Sequence, residues 1–405
     1  MSIHEYQKSN SFFATLVAVT AAGPVAVQLF IPSVPAIAKD LGVSLGATQI
    51  AFSMPLVLMA LSMLFFGPLS DRFGRRIVLL WGMTIFLLGS IIAGLANDLA
   101  ILIVGRALQS VGGAGGLVIA RAIVRDIYGP EQAARVLGTL ITVFIAAPMV
   151  AVILGGILTD LFGWRSIFYL TIGLGLTVTL MVYYVLPSVP PKQNQLKGVG
   201  SVVRAYGTLL RSPVFIGFAF QGAFAPGAFM AFMAVGPYLT VTILDRTATE
   251  FGIYFGLVTL LFMGANYIGG RLSRPIGLEL MVIIGAIVAT VFSIVGLSLY
   301  LTTGLTFFVM FATQTMSSIG NGLAMPNSQA GALNVNPELA GTASGGAAFV
   351  QTMVGAMFAQ VVASATGDTG LPLFIATLFA ACGALIFGVI PFLVKRRSLI
   401  KNLSY

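Results

Sequence analysis

A chain of 405 residues in which 58% are hydrophobic and only 8% are charged lacks the polar groups to cover a water-facing surface, so a soluble fold is excluded. Its formal net charge of +9 does not point to nucleic acid, because the basic residues stand singly or in twos and threes at the ends of apolar runs, where topology accounts for them. One cysteine, Cys382, and one histidine, His4, leave no disulfide framework and no thiol or histidine metal site; neither a catalytic motif nor an ATP-binding motif is present, so an enzyme and a cofactor are not expected.

Apolar runs of about 20 residues, enough to cross ~30 Å of hydrocarbon, recur through the whole length with short polar breaks. They predict an all-α polytopic membrane protein. Twelve transmembrane helices are expected, near 12–37, 45–69, 77–96, 99–126, 133–159, 165–187, 213–243, 249–271, 279–301, 304–331, 339–366 and 370–394. The first run is longer than a signal-peptide core and flows into Pro32 and Pro35 without a cleavage site, so it reads as a retained helix.

Spans 2 and 3 are joined by Gly67-Pro68-Leu69-Ser70-Asp71-Arg72-Phe73-Gly74-Arg75-Arg76, a charged turn bounded by glycine. Three basic residues and one acid between apolar runs mark a cytoplasmic connection under the positive-inside rule. Placing both termini in the cytoplasm puts the remaining basic loop residues on that side as well, except Lys39, Arg165 and Arg246. The longest polar interruption, Pro187 to Ser212, divides the spans six and six. It predicts an N-terminal half over 1–187, a linker over 188–212 and a C-terminal half over 213–405, a plan in which a site lies between paired halves near the midplane. Gly270-Arg271-Leu272-Ser273-Arg274-Pro275-Ile276-Gly277, after span 8, is a weaker echo of the charged turn at the corresponding place in the second half.

These residues resemble the major facilitator superfamily, and within it the drug:proton antiporters of the Bcr/CflA type. The turn from Gly67 to Arg76 looks like the superfamily's signature loop between helices 2 and 3, and Arg106-x-x-Gln109-x-x-Gly112 is similar to its helix 4 motif. Gly163-Trp164-Arg165, Met325-Pro326-Asn327 and Ala340-Gly341-Thr342-Ala343-Ser344 also look like the Bcr/CflA pattern. The resemblance implies the major facilitator fold in a bacterial inner membrane, a monomer, a small-molecule substrate and protons as the coupling ion. Two departures bear on coupling. Gln28, in Val27-Gln28-Leu29-Phe30-Ile31-Pro32, stands where exporters of this type carry an acid, and in span 5 Val152 replaces the second proline of the antiporter motif, although Pro148 is retained.

Ionisable groups inside a span are functional candidates because burying charge in lipid is costly. All 12 acids fall in tails, loops or final helical turns. Arg106 is the in-span base, roughly two turns into span 4 at ~1.5 Å per residue, where a guanidinium binds an anionic or polar substrate group or tunes a proton site, or else is satisfied by helix-end carbonyls or snorkels outward. Neighbouring helices 1 and 4 in the resembling fold would set Gln28 beside it. Substrate-binding candidates are therefore Gln28, Arg106 and Gln109, with Gln221 and Asn321 as mid-span amides, and Phe144, Met149 and Phe224 as an adaptable apolar wall. The same amides and rings also suit helix-to-helix contacts. Gly112-x-x-x-Gly116 and Gly341-x-x-x-Gly345 are expected to let backbones approach closely. The resemblance further implies a cytoplasmic gate from Gly67, Asp71, Arg72, Gly74 and Arg75, with Asp71 pairing with Arg121 or Arg125 and facing the start of span 11.

Together these readings give a secondary active transporter working by alternating access, a proton-coupled exporter of small amphipathic compounds or drugs. The alternatives are a facilitator or differently coupled carrier of an anionic or neutral metabolite anchored on Arg106, and a non-transporting receptor or scaffold on the same fold.

Overall fold

The computed structural model describes residues 9–187, 199–336 and 339–403, with some side chains inside the helices left undescribed. The described chain is helical from end to end: α1 (Asn10–Phe30), a 3-10 turn (Ile31–Ser33), α2 (Val34–Leu41), α3 (Leu45–Phe73), α4 (Arg75–Gly94), α5 (Leu99–Phe162) and α6 (Ser166–Val185). After these come α7 (Val199–Leu210), α8 (Pro213–Tyr238), a π turn (Leu239–Ile243), α9 (Ala248–Ile276), α10 (Leu278–Thr303), α11 (Phe307–Asn334), α12 (Ala340–Ala365) and α13 (Leu371–Leu403). Among the described residues ten segments are long and apolar enough to cross a membrane. The expected spans outside those ten are 304–331, which is formed as α11 but is more polar, and 133–159, of which Met149–Phe162 is a shorter apolar stretch.

Helix starts follow the sequence. Side-chain oxygens of Ser9, Ser44, Asp98, Ser212 and Thr306 each accept from the backbone N–H three residues on, so a donor that the helix leaves unpaired is satisfied. At α9 the Thr247 and Glu250 side chains exchange such bonds in a capping box. The Asp160 carboxylate, in the last turn of α5, accepts from the Ala248 and Thr249 amides at 3.3 and 2.8 Å and from the Thr249 hydroxyl at 2.6 Å.

The connection expected between spans 4 and 5 is not a break in hydrogen bonding, because α5 stays helical from 99 to 162, through Gly129-Pro130. It nevertheless doubles back. A Cβ built on Gly116 would lie 2.2 Å from the Val19 carbonyl and one built on Gly155 2.4 Å from the Leu29 carbonyl, positions ~15 Å apart on α1. On a straight helix residues 116 and 155 would stand ~58 Å apart at ~1.5 Å per residue. The chain therefore crosses the bundle twice within α5, as two spans require.

The chain divides into two units, residues 1–196 with 247–253, and residues 197–246 with 254–405. In the first, α5 is the axis. Backbones close around glycines: a Cβ on Gly112 would meet the Gly82 carbonyl at 2.3 Å, and one on Gly89 the Gln109 amide nitrogen at 2.3 Å. Phe12, Leu16, Val19, Val78, Met83, Phe86, Ile119 and Val178 fill the core between these contacts. In the second unit α10 and α11 meet at Gly285 and Gly320, where a Cβ on either would lie 2.5 Å from the facing backbone. The α7 helix, inside the expected linker, packs Leu209 into a cluster with Phe215, Phe218 and Ala343. Its Tyr206 lies over Gly345 and Gly346, and burial raises the Tyr206 phenol pKa. Gly345 thus meets a tyrosine rather than a helix backbone; the surroundings of Gly341 lie outside the described residues.

The turn echoed between the halves has one backbone solution. Gly74, between α3 and α4, has φ 94° and ψ 141°, and Gly277, between α9 and α10, has φ 93° and ψ 150°, a region that only glycine enters freely. Gly74→Ala and Gly277→Ala are each expected to lower stability by ~1–3 kcal/mol. Thermal unfolding in detergent checks this, and an unchanged midpoint would mean that the turn relaxes without cost.

Candidate functional site

Arg106 is fully buried in the first unit and is the one buried charged side chain among the described residues. Its Nε donates to the Ala51 carbonyl of α3 at 3.3 Å and its Nη1 to the Ala26 carbonyl of α1 at 3.2 Å. Nη1 also donates to Gln109 Oε1. The guanidinium carbon stands 4.4 Å from the centre of the Phe30 ring, close enough for a cation–π contact. Ala26 and Phe30 are four residues apart on α1, so the cation meets one face of that helix.

Gln109 extends the network outward. Its Nε2 donates to Ser90 Oγ of α4 at 2.8 Å and to Thr171 Oγ1 of α6 at 3.2 Å. Both hydroxyls donate their own protons to carbonyls, Ser90 to Phe86 at 2.8 Å and Thr171 to Phe168 at 3.0 Å, which leaves their oxygens free to accept. Arg106 and Gln109 together thus tie α1, α3, α4, α5 and α6. Every partner is neutral. The described carboxylates of this unit are engaged elsewhere: Asp40 with Arg165 at 2.9 Å and Trp164 at 3.0 Å, Asp98 with the Ile101 amide, Asp160 at the start of α9 and Glu250 with the Thr247 amide. Arg106 Nη2 is buried with no hydrogen-bond partner among the described residues. Among the described residues no carboxylate compensates this positive charge, which is held in place by a fixed set of dipoles.

Gln28 does not join this network among the described contacts. It lies two residues from both Ala26 and Phe30, so its side chain leaves α1 away from the face that meets Arg106. Its Oε1 is buried with no hydrogen-bond partner among the described residues. Ser90, Thr171 and Phe30 are the partners that sequence reasoning did not single out.

Of the other candidates, Gln221, Asn321 and Phe224 belong to the second unit. Gln221 is fully buried on α8 with neither amide atom hydrogen-bonded among the described residues, and Asn321 is buried on α11. Phe224 stacks on Phe387 at 5.6 Å and meets Phe358 and Phe379 edgewise or tilted; it sits against the notch left by Gly383, a helix-packing position. Met149 is half-buried. Of the gate candidates, Arg72 is exposed over the Phe73 ring, Arg75 donates to Ser70 Oγ, Arg121 is exposed and Gly74 sets the turn. The surroundings of Gly67 and the side chains of Asp71, Arg125 and Phe144 lie outside the described residues.

The sequence profile of the Major Facilitator Superfamily matches residues 16–360. The chain is 30% identical to the bicyclomycin resistance protein homolog of Haemophilus influenzae, over 91% of this chain and 92% of that one. It is 28% identical to multidrug resistance protein D of Escherichia coli, over 83% and 84%. Its fold matches a bacterial homolog of the human lysosomal transporter Spinster with a TM-score of 0.74 over 94% of each chain, at 15% identity. The chain belongs to the Major Facilitator Superfamily, and it is a multi-pass membrane transporter of small molecules, not an enzyme.

Proposed function

We propose that this transporter exports small amphipathic compounds, drugs among them, by alternating access driven by a proton gradient. The observation that carries the reading is the relationship, along nine-tenths of the chain, to a protein named for bicyclomycin resistance. In this reading it acts as a monomer in a bacterial inner membrane with both termini in the cytoplasm, and its halves 1–187 and 213–405 move against each other about the linker 188–212. A buried cation that meets no carboxylate among the described residues supports a second reading, a facilitator or differently coupled carrier of an anionic or neutral metabolite. A buried guanidinium without a carboxylate partner favours an anionic group nearby over a cationic one.

Flux of anionic, neutral and cationic amphipathic dyes in proteoliposomes, with and without a pH gradient, separates the two. Exchange of dye against protons should raise flux several-fold when the gradient is imposed and return it to baseline when an ionophore collapses it. Equal flux under both conditions overturns proton coupling and leaves the facilitator. Gradient-independent flux confined to the anionic dyes selects Arg106 as its anchor.

A further inference from the structure

Where α3 ends and α4 begins, the first unit carries arginines laid over aromatic rings at its surface. The Arg72 guanidinium carbon stands 5.2 Å from the centre of the Phe73 ring, and Phe73 leans on Trp81 at 5.6 Å. Across the start of α4, Arg76 lies 5.4 Å over the Tyr183 ring of α6 and donates from Nη2 to the Tyr183 carbonyl, while Tyr183 meets Tyr184 edge-on at 5.0 Å. These rings are not core. Phe73, Trp81, Tyr183 and Tyr184 are 40%, 47%, 53% and 77% exposed, and they continue an outer surface of Ile77, Leu88, Leu176 and Leu180 on the spans α4 and α6. Tryptophan and tyrosine gather at the bilayer interface because each ring has an apolar body and a polar tip.

Charge selects the headgroup. The turn from Gly67 to Arg76 holds three arginines against one aspartate, Asp71. The described carboxylates of this unit stand at the opposite end of its helices: Asp40 precedes α3, Asp98 follows α4, and Asp160 with Glu250 lies past Gly155, which packs on Leu29 beside the end of α1. Arg75 and Arg76 fall in the first turn of α4, where the helix dipole adds to the positive potential. Arg76 Nε is buried with no hydrogen-bond partner among the described residues. An arginine held over a ring gives up no N–H to it, so its donors stay available, and phosphate is a partner that their planar fork fits.

We propose that Arg72 and Arg76, framed by Trp81, Tyr183 and Tyr184, form a docking surface for the phosphate of an anionic phospholipid. The headgroup meets the two cations, the rings seat the glycerol region, and the acyl chains lie along the apolar side chains of α4 and α6. Anionic lipid is therefore enriched at this corner of the first unit and bridges the start of α4 to the end of α6. The turn echoed in the second unit carries one such element, Arg271 lying 4.6 Å over Tyr267 with both side chains exposed. This surface is independent of which compound is carried and of how transport is coupled.

The chain has two tryptophans, Trp81 in the patch and Trp164, which is 4% exposed and bonded to Asp40 at the opposite end. Fluorescence of the full-length protein in nanodiscs of phosphatidylcholine with a minor fraction of phosphatidylglycerol tests the proposal. In one preparation the phosphatidylglycerol is brominated, in the other an equal amount of phosphatidylcholine, so that overall composition and charge are the same. Trp81 emission, taken as the difference between the parent and Trp81→Phe, is expected to be quenched several-fold more strongly by the brominated phosphatidylglycerol. Arg72→Gln with Arg76→Gln should bring the two lipids to parity, and Arg72→Gln alone, at an exposed side chain, should lower the preference even if the pair fails to fold. Equal quenching in the parent overturns the proposal, as does an undiminished preference in the folded variants. Inorganic phosphate separates the two sources of the anion. It should compete no better than sodium chloride of equal ionic strength, and a preference abolished by phosphate alone would make this a site for a soluble anion and overturn the lipid assignment.

Discussion

Arg106→Met is expected to leave the protein folded, with a melting temperature equal to or above that of the parent, while transport falls on the order of 100-fold. The two effects part because the residue stands where a charge is costly. Burial of an ion costs several kcal/mol even after relaxation, and here the compensation comes only from the carbonyls of Ala26 and Ala51, the Gln109 amide and the Phe30 ring. Methionine fills similar length with apolar atoms and removes the charge. What it forfeits is the partner of Gln109 Oε1, at ~1–3 kcal/mol, less than or comparable to the desolvation it relieves. Arg106→Lys separates charge from geometry. An ammonium cannot serve the Ala26, Ala51 and Gln109 oxygens at once as the planar fork does, so this variant should be inactive and less stable by ~2 kcal/mol. Thermal unfolding in detergent and dye flux in proteoliposomes, measured on the same preparations, decide the matter. Full transport by Arg106→Met would remove the cation from the mechanism, and loss of folding would make it a structural tie.

Arg106 was legible in the sequence for the same reason that it is costly: a guanidinium in an apolar run stands out, whether it meets a substrate or only helix carbonyls. The capping residues Ser44, Asp98 and Thr306 were not singled out in the sequence, although each precedes an apolar run. What surrounds Arg106 was not legible. Carbonyls of alanine carry no signature, and Ser90 and Thr171 are ordinary helix residues until the rotation of α4 and α6 about their axes is known. That rotation is set by glycine contacts distributed over several helices. Gln28 shows the limit of reading a neighbour from a shared helix. The adjacency of α1 to α5 is real, yet a displacement of two residues from Ala26 points the side chain away from the cation. The reversal inside α5 escaped in the opposite sense. The pattern predicted two spans, and the chain does cross twice, but helical hydrogen bonding runs on through Gly129-Pro130, where those residue types predict an interruption. Gln314 of α11 was visible as a letter; that its Nε2 finds no partner among the described residues depends on the helices around it.

Gly112→Ala is expected to lower stability by ~3 kcal/mol and transport with it. A Cβ there would lie 2.3 Å from the Gly82 carbonyl and 2.4 Å from the Phe86 amide nitrogen, both backbone atoms of α4 with no rotamer to yield, so α4 and α5 must move apart. That movement reaches the Arg106 network directly. Ser90, which accepts from Gln109, is bonded to the Phe86 carbonyl one turn away, and separating the helices stretches this link. Gly173→Ala, at an exposed glycine of α6 with nothing within 4 Å of the added carbon, is the control and should be neutral or stabilising by about 0.5–1 kcal/mol. The pair of glycine variants and the Arg106→Met variant read different things. A packing glycine should move melting temperature and flux together, because a single geometry serves both, whereas removing a buried cation should move them in opposite directions. If Gly112→Ala melts with the parent, the close approach of α4 and α5 is not what holds Gln109 in register, and the network around Arg106 must be positioned from α1 and α3 instead.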